Sequence, residues 1–249
     1  MRDTLTPTAS GKSLVYMSGA VNLLMNDSNA KVLALYPARA LIQDQKGKWE
    51  AFTKFGVSIG YIDGRVGVDR REFILKKNNI ILMTPDVGHA WLLRQVGNKV
   101  ISAFLDNLKL LILDEAHVYE GAFGTNMAYF LRRLEAVTSS KYRIVASSAT
   151  MGKPESFMQA LTGRSVKCFS ETDDGAHKAQ SHLILARGGN LTNISEALIA
   201  FASQNKSPFL AFADSRKQVE QIVAITRRSE KKDIESSDKT DSKGLERKF

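Results

Sequence analysis

One cysteine, Cys168, stands in 249 residues. An intrachain disulfide and a cysteine-cluster metal site are therefore excluded, and a lone thiol fits a reducing, cytoplasmic compartment. No apolar run approaches the ~18 residues that a membrane-spanning helix needs, and the N-terminus carries no apolar signal segment. Acidic residues are the scarcer charge: 26 Asp and Glu stand against 35 Lys and Arg, a formal charge of +9. A surplus of that sign suits a polyanionic partner such as nucleic acid, although a solvated basic surface has the same composition. The 43% of hydrophobic residues is enough for a buried core.

Short apolar runs alternate with helical patterns up to about Arg228. Val32–Tyr36, Ile80–Met83, Leu108–Leu113 and Arg143–Ser147 read as buried strands, and Gly11–Met25, Ala40–Phe55, Asp86–Val96 and Gly124–Val137 as amphipathic stretches. Such alternation predicts βαβ units around a parallel sheet. Strands that are apolar without interruption are what a sheet covered by helices on both faces requires. The texture changes at Ser170–Gln180, a polar stretch poor in large apolar residues. An α/β pattern then resumes with strand Ser181–Leu185, helix Asn193–Ser203, strand Phe209–Ala213 and helix Ser215–Arg227. Ser229–Phe249 holds many mixed charges and too few large apolar residues to fold alone. The expected organisation is an α/β domain over residues 1–170, a linker at 171–180, an incomplete second domain at 181–228 and a disordered tail at 229–249.

Thr6–Ser13 reads TPTASGKS, between a short strand end at Asp3–Leu5 and a helical pattern. A loop so placed aims backbone N–H groups and a helix N-terminus at phosphates. Thr8, Ala9, Ser10 and Gly11 would cradle the phosphates, Lys12 would reach the β- and γ-phosphates, and the Ser13 hydroxyl would bind Mg²⁺. Thr6 occupies the position of the first glycine in the general pattern, so the strict motif fails by one residue. Asp114-Glu115-Ala116-His117 follows the apolar strand Leu108–Leu113. Carboxylates at the carboxyl end of a buried parallel strand stand where α/β sheets bind ligands. In phosphoryl transfer Asp114 would hold Mg²⁺ through its water shell, and Glu115 would orient and deprotonate the attacking water. An isolated DEAH tetrad reads more often as a helix-capping acidic turn. A phosphate loop ~100 residues upstream favours the paired reading, because phosphoryl transfer needs both parts.

TPTASGKS, DEAH and Ser147-Ser148-Ala149-Thr150, in this order, resemble motifs I, II and III of superfamily 2 helicases of the DEAD/DEAH type. Tyr36–Leu41 with Gln43 and Gln45 resembles motif Ia, Asp63-Gly64 and Thr84-Pro85-Asp86 the strand-contacting elements after it, and Phe209–Glu220 motif IV. The run Val118–Leu134 (VYEGAFGTNMAYFLRRL) is similar to the group of bacterial mitomycin-repair helicases and fungal RecQ4-like enzymes, which are DNA helicases. The resemblance covers nearly all of residues 4–226. It implies a RecA-like P-loop NTPase domain followed by the start of a second one, with ATP and Mg²⁺ as cofactors. Residue by residue, it implies phosphate and metal binding by Lys12 and Ser13, metal and water handling by Asp114 and Glu115, and coupling of the nucleotide to the track by His117, Ser148 and Thr150. Arg39, Gly64, Thr84 and Pro85 fall in segments that touch the nucleic-acid backbone. The plainer alternatives are a solvated cation for Arg39 and a helix-capping hydroxyl for Thr84.

The departures matter too. Helicases of this type draw finger arginines from a QxxGRxGR-like motif in the second domain, and the sequence contains none. Only five residues precede the phosphate loop, so the adenine-contacting segment of many relatives is missing. A truncated reading frame or a fragment of a longer helicase accounts for both. An arginine finger is worth ~10³–10⁵ in rate, so the expectation is weak ATP·Mg²⁺ binding and slow turnover, without unwinding by this chain alone. The leading reading is an ATP-dependent helicase or translocase motor, with DNA favoured over RNA. The competing readings are a non-catalytic nucleic-acid-binding remnant and, less well supported by SSAT and motif IV, a P-loop kinase or transporter ATPase.

Overall fold

The computed structural model describes residues 3–6, 11–149 and 151–169, together with isolated helical positions between 194 and 224. The chain divides into two compact units, Met1–His177 and Lys178–Phe249.

In the first unit strands and helices alternate almost without exception. The strands are β1 (Asp3–Thr6), β2 (Lys31–Leu35), β3 (Ile59–Ile62), β4 (Ile80–Met83), β5 (Leu108–Leu113), β6 (Arg143–Ser147) and β7 (Val166–Cys168). The helices are α1 (Lys12–Asn26), α2 (Arg39–Glu50), α3 (Val68–Lys77), α4 (Pro85–Ala90), α5 (Lys99–Asp106), α6 (Gly121–Val137) and α7 (Pro154–Thr162). The strands form one sheet in the order β3-β4-β2-β5-β6-β1-β7, and every pairing is parallel.

Both faces of the sheet are covered. Val32, Ala34, Ile80, Leu82, Leu110 and Ile112 pack under α1 and α2 with Tyr16, Met17, Ile42 and Trp49. Their chain neighbours Leu33, Leu35, Ile81, Met83, Leu111 and Leu113 pack on the other face with Phe104, Phe130, Leu134 and Leu161. Alternate residues of one strand thus bury on opposite sides, and this is why the central strands are apolar apart from Lys31, Lys109 and Arg143 toward their amino ends and Ser147 at the end of β6.

Two expected stretches are divided. Ala40–Phe55 becomes α2 and a separate 3-10 turn at Thr53–Phe55, and Asp86–Val96 becomes α4 and a 3-10 turn at Leu92–Arg94. The segment YEGAFG, Tyr119–Gly124, has a packing explanation. Tyr119 is buried against Phe123, with ring centroids 5.3 Å apart. Gly124 passes over its backbone, and a Cβ there would stand 2.2 Å from the Tyr119 carbonyl oxygen. Only glycine lets α6 start this close to the buried tyrosine.

In the second unit Ile194, Ala197, Leu198 and Phe201 are helical, as are Lys217, Val219, Glu220, Val223 and Ala224. Each set falls within a helix expected from the sequence. The expected linker at 171–180, the strands at 181–185 and 209–213 and the tail at 229–249 lie outside the described residues.

Candidate active site

Because all strands run parallel, their carboxyl ends share one rim. The connection from β1 through α1 to β2 skips two sheet positions, which β5 and β6 later fill. The carboxyl end of β1 is thereby brought close to that of β5. The register is level: Thr6 lies opposite Ser147, and Ala146 opposite Leu113, the residue before Asp114. Two strand spacings of ~4.8 Å separate β1 from β5.

Thr8, Ala9 and Ser10 lie outside the described residues. The chain is described again from Gly11, which turns it in a left-handed conformation (φ 72°) into α1 at Lys12. The amides of Leu14 and Val15 both bond to the Gly11 carbonyl, at 2.9 and 3.2 Å. No side chain caps this end, and its first turn holds no carboxylate. An uncapped N-terminus of a 15-residue helix offers N–H donors and a positive dipole end to an anion.

Asp114 is buried at 6% exposure. Its carboxylate accepts a short hydrogen bond from the Ser147 hydroxyl on the neighbouring strand, and its amide donates to the Leu35 carbonyl at 3.0 Å. Glu115 departs from the strand in a left-handed conformation (φ 49°), which for a side chain other than glycine costs on the order of 1–3 kcal/mol and tends to occur where a site needs it. The bend leaves the Glu115 side chain about a third exposed at the rim.

His117 Nδ1 lies 3.2 Å from the Ala149 amide nitrogen and 3.3 Å from Glu115 Oε2. One ring nitrogen cannot serve both partners: it accepts from the amide only without a proton and donates to the carboxylate only with one. The amide N–H is fixed in place, so Nδ1 stands as its acceptor. This bond ties the DEAH turn to the segment holding Ser148, which is 1% exposed. Thr150 lies outside the described residues.

The expected nucleic-acid residues occupy the other half of the same rim. Arg39 opens α2 and is exposed, Gly64 is exposed just after β3, and Thr84 precedes Pro85 at the start of α4. The Thr84 side chain makes no capping bond, so the plainer capping reading does not apply to it. Beside Gly64, the buried Asp63 accepts from Arg65 Nη2 at 3.0 Å and from the Arg65 amide at 2.9 Å. Burial alone would raise the Asp63 carboxyl, but the bonds and charge of Arg65, helped by Arg39, hold it below the usual carboxylate range.

A set of hydroxyls under the phosphate loop was not singled out from the sequence. Tyr16 bonds to Ser13, its hydroxyl lies 3.3 Å from that of Tyr36, and the Trp49 indole donates to Tyr36 at 2.8 Å. All three rings are nearly or fully buried. Burial, followed by the nearby charge of Asp114, pushes the Tyr16 phenol up to about 12. The spacing of Ser13 and Tyr16, one helical turn apart, was the available signal.

Among the described residues no group of three or more His, Cys, Asp or Glu side chains could hold a metal by itself. Magnesium in phosphoryl-transfer sites needs no such cage, since one or two protein oxygens, the phosphates and water complete its shell. The Ser13 hydroxyl and the Asp114 carboxylate fit that sparse donor set. No helix among the described residues is long and apolar enough to cross a membrane.

A seven-stranded parallel sheet between two helical layers, with a phosphate-loop helix and an acidic strand end on one rim, defines a RecA-like nucleotide-binding domain. Residues 4–157 match the family described as DEAD/DEAH box helicase. This is more than half of the chain, and the chain belongs to that family. It is 33% identical over 231 residues to an uncharacterized ATP-dependent helicase of Methanocaldococcus jannaschii, covering 88% of this chain and 33% of that protein. It is 31% identical over 248 residues to the uncharacterized ATP-dependent helicase YprA of Bacillus subtilis, covering 93% of this chain and 32% of that protein. The solved structure of the DUF1998 helicase MrfA bound to DNA matches with a TM-score of 0.80 at 26% identity, over 91% of this chain and 32% of that one. The same protein bound to DNA and AMPPNP matches with a TM-score of 0.77 at 25% identity, over 91% of this chain and 34% of that one. The chain spans about a third of the length of the curated relatives it matches. The mitomycin-repair likeness of Val118–Leu134 therefore extends to whole-domain similarity with MrfA.

Proposed function

We propose that this chain supplies the ATP-hydrolysing core of a nucleic-acid helicase motor, with DNA as the track. The observation that carries the proposal is the level placement of the uncapped α1 N-terminus, Ser147 and Asp114 on neighbouring strand ends. A triphosphate lying across that rim meets the amides of residues 8–13 and Lys12 at one end and the acidic pair at the other. Asp114 and Ser13 would hold Mg²⁺, which when bound would neutralise charge on the phosphates. Glu115, aimed off the strand by its left-handed backbone, orients the attacking water and takes its proton.

His117, Ser148 and Thr150 relay the state of the site along the rim. Arg39, Gly64, Thr84 and Pro85 grip the sugar–phosphate backbone, which makes binding weakly sequence-specific. The DNA-bound form of MrfA supports DNA over RNA. We further propose that residues 1–170 form the first motor domain and that 181–228 open a second, joined by 171–180.

The test is binding of a fluorescent ATP analogue, with hydrolysis measured beside it with and without single-stranded DNA or RNA. Lys12→Ala should abolish nucleotide binding while the fold is kept. Glu115→Gln should keep the nucleotide and lower turnover by ~10²–10⁴. If Lys12→Ala binds as well as the parent, the phosphate-loop assignment is wrong. Stimulation by RNA but not DNA would reverse the choice of track.

A further inference from the structure

The sheet has a second rim, where β2 and β5 begin, and it holds a cavity of about 520 Å³. That volume is in the range of small-molecule sites. Three elements each bring a lysine to it: Lys31 at the start of β2, Lys76 in the last turn of α3 and Lys99 at the start of α5. Leu75, Val100 and Phe104 supply an apolar wall. Among the described residues no acidic side chain lines the cavity, and none of the three lysines belongs to an ion pair.

Two of these cations stand where the fold alone does not offset their cost. Lys31 is half-buried, and its ammonium donates to the Asn78 carbonyl at 2.9 Å. One carbonyl replaces only part of the hydration that a cation loses on burial, and burial lowers Lys31 below the usual lysine range. Lys99 is the first residue of α5, whose first turn holds no carboxylate. The amino end of a helix is the positive end of its dipole, where a further cation is disfavoured. One anion in the cavity would relieve both costs. Lys76, at the favourable carboxyl end of α3, adds a third donor.

We propose that this cavity binds a small organic phosphate, its phosphate oxygens held by Lys31, Lys76 and Lys99 and its apolar part laid against Leu75, Val100 and Phe104. Ammonium groups bind phosphate as point charges, and three of them around one cavity match an anion of more than one charge. A nucleic-acid strand is bound along a groove that tracks its backbone, whereas this is a single cavity with an apolar wall. The five residues of β2, ~17 Å of strand, separate the cavity from the rim of the proposed nucleotide site, and the proposal does not depend on the reading of that rim.

The experiment is isothermal titration of inorganic pyrophosphate and of ADP, in EDTA, into the full chain carrying Lys12→Ala, which removes the phosphate loop as a competing site. Both should bind, and ADP more tightly, because the apolar wall takes its base. Adding Lys76→Gln and Lys99→Gln should weaken both by ~10-fold or more, the scale of one lost hydrogen bond to a charged group. Lys76 and Lys99 are exposed, so the pair can be replaced without opening the core. Lys54→Gln with Lys167→Gln removes the same charge from exposed positions elsewhere and should change neither affinity. If the Lys12→Ala chain does not fold, Lys76→Gln with Lys99→Gln in the parent should remove one binding step. Absence of binding, or an affinity indifferent to Lys76 and Lys99, overturns the site. Equal weakening by the Lys54 and Lys167 pair overturns it in favour of net charge alone. ADP no tighter than pyrophosphate overturns the ligand class. A single-stranded oligonucleotide that binds with the same lysine dependence, where both small anions fail, overturns it in favour of a strand contact.

Discussion

A carboxylate taken out of water needs hydrogen bonds to replace its hydration. Asp114 receives one from Ser147, a hydroxyl on the next strand. Ser147→Ala removes that donor and leaves the acid in place, and should destabilise the fold by about 1.5–3 kcal/mol, read as a lower urea midpoint with an unchanged slope. An unaltered midpoint would mean that the bond contributes nothing net. Lys12, Ser13, Asp114 and Glu115 could be picked out as candidates because each belongs to a short contiguous pattern. Ser147 could be picked out only as part of the SSAT segment, and its bond to Asp114 was not legible. Ser147 meets Asp114 across 33 positions of sequence, and only the strand register brings them together. Tyr36 and Trp49 read as core, which they are, and their polar atoms gave no separate signal.

At the scale of elements, the crossing of the short α4 over the 17-residue α6 shows how little slack the packing has. A Cβ on Gly88 would stand 2.7 Å from the Phe130 ring, where α4 crosses α6. Gly88→Ala should therefore cost about 1–3 kcal/mol by overpacking. Adding Phe130→Leu should cost less than the sum of the two single changes, because the shorter side chain yields the space; chemical denaturation of all three variants measures this. Strict additivity would show that the ring already moves aside freely. The central strands β4, β5 and β6 were legible to the residue, because burial on both faces makes each a run of mostly apolar residues. β3 was not, since its burial alternates and Gly60 lies inside it. Helix α5 was not read from the sequence: its signal, Asn98, whose side chain accepts from the amides of Val100 and Ile101, is a single capping residue, weak beside a periodic run.

For the whole molecule, the surplus of nine positive charges makes a measurable claim. Binding to single-stranded DNA should weaken linearly in log–log form as salt rises, by about 0.7 in slope for each phosphate neutralised. Arg39→Ala should reduce that slope by about one such increment, in fluorescence anisotropy at several ionic strengths. A slope indifferent to Arg39 would take it out of the backbone contacts. The alternation of strand and helix made the sheet legible from composition and period alone. The order of its strands was not, because it depends on which edge each crossover takes.

That order has a mechanical consequence. From β1, which ends in the phosphate loop, to β3, which ends beside Gly64, is five strand spacings, roughly 24 Å. The sheet between them is a stiff beam, hydrogen-bonded throughout and clamped by helices above and below. The proposed nucleotide site and the proposed nucleic-acid contacts are both carried by this one sheet. If this unit drives anything along a strand, its stroke must be delivered by loops at the rim or by a body that is not part of the beam, with the sheet serving as the stator.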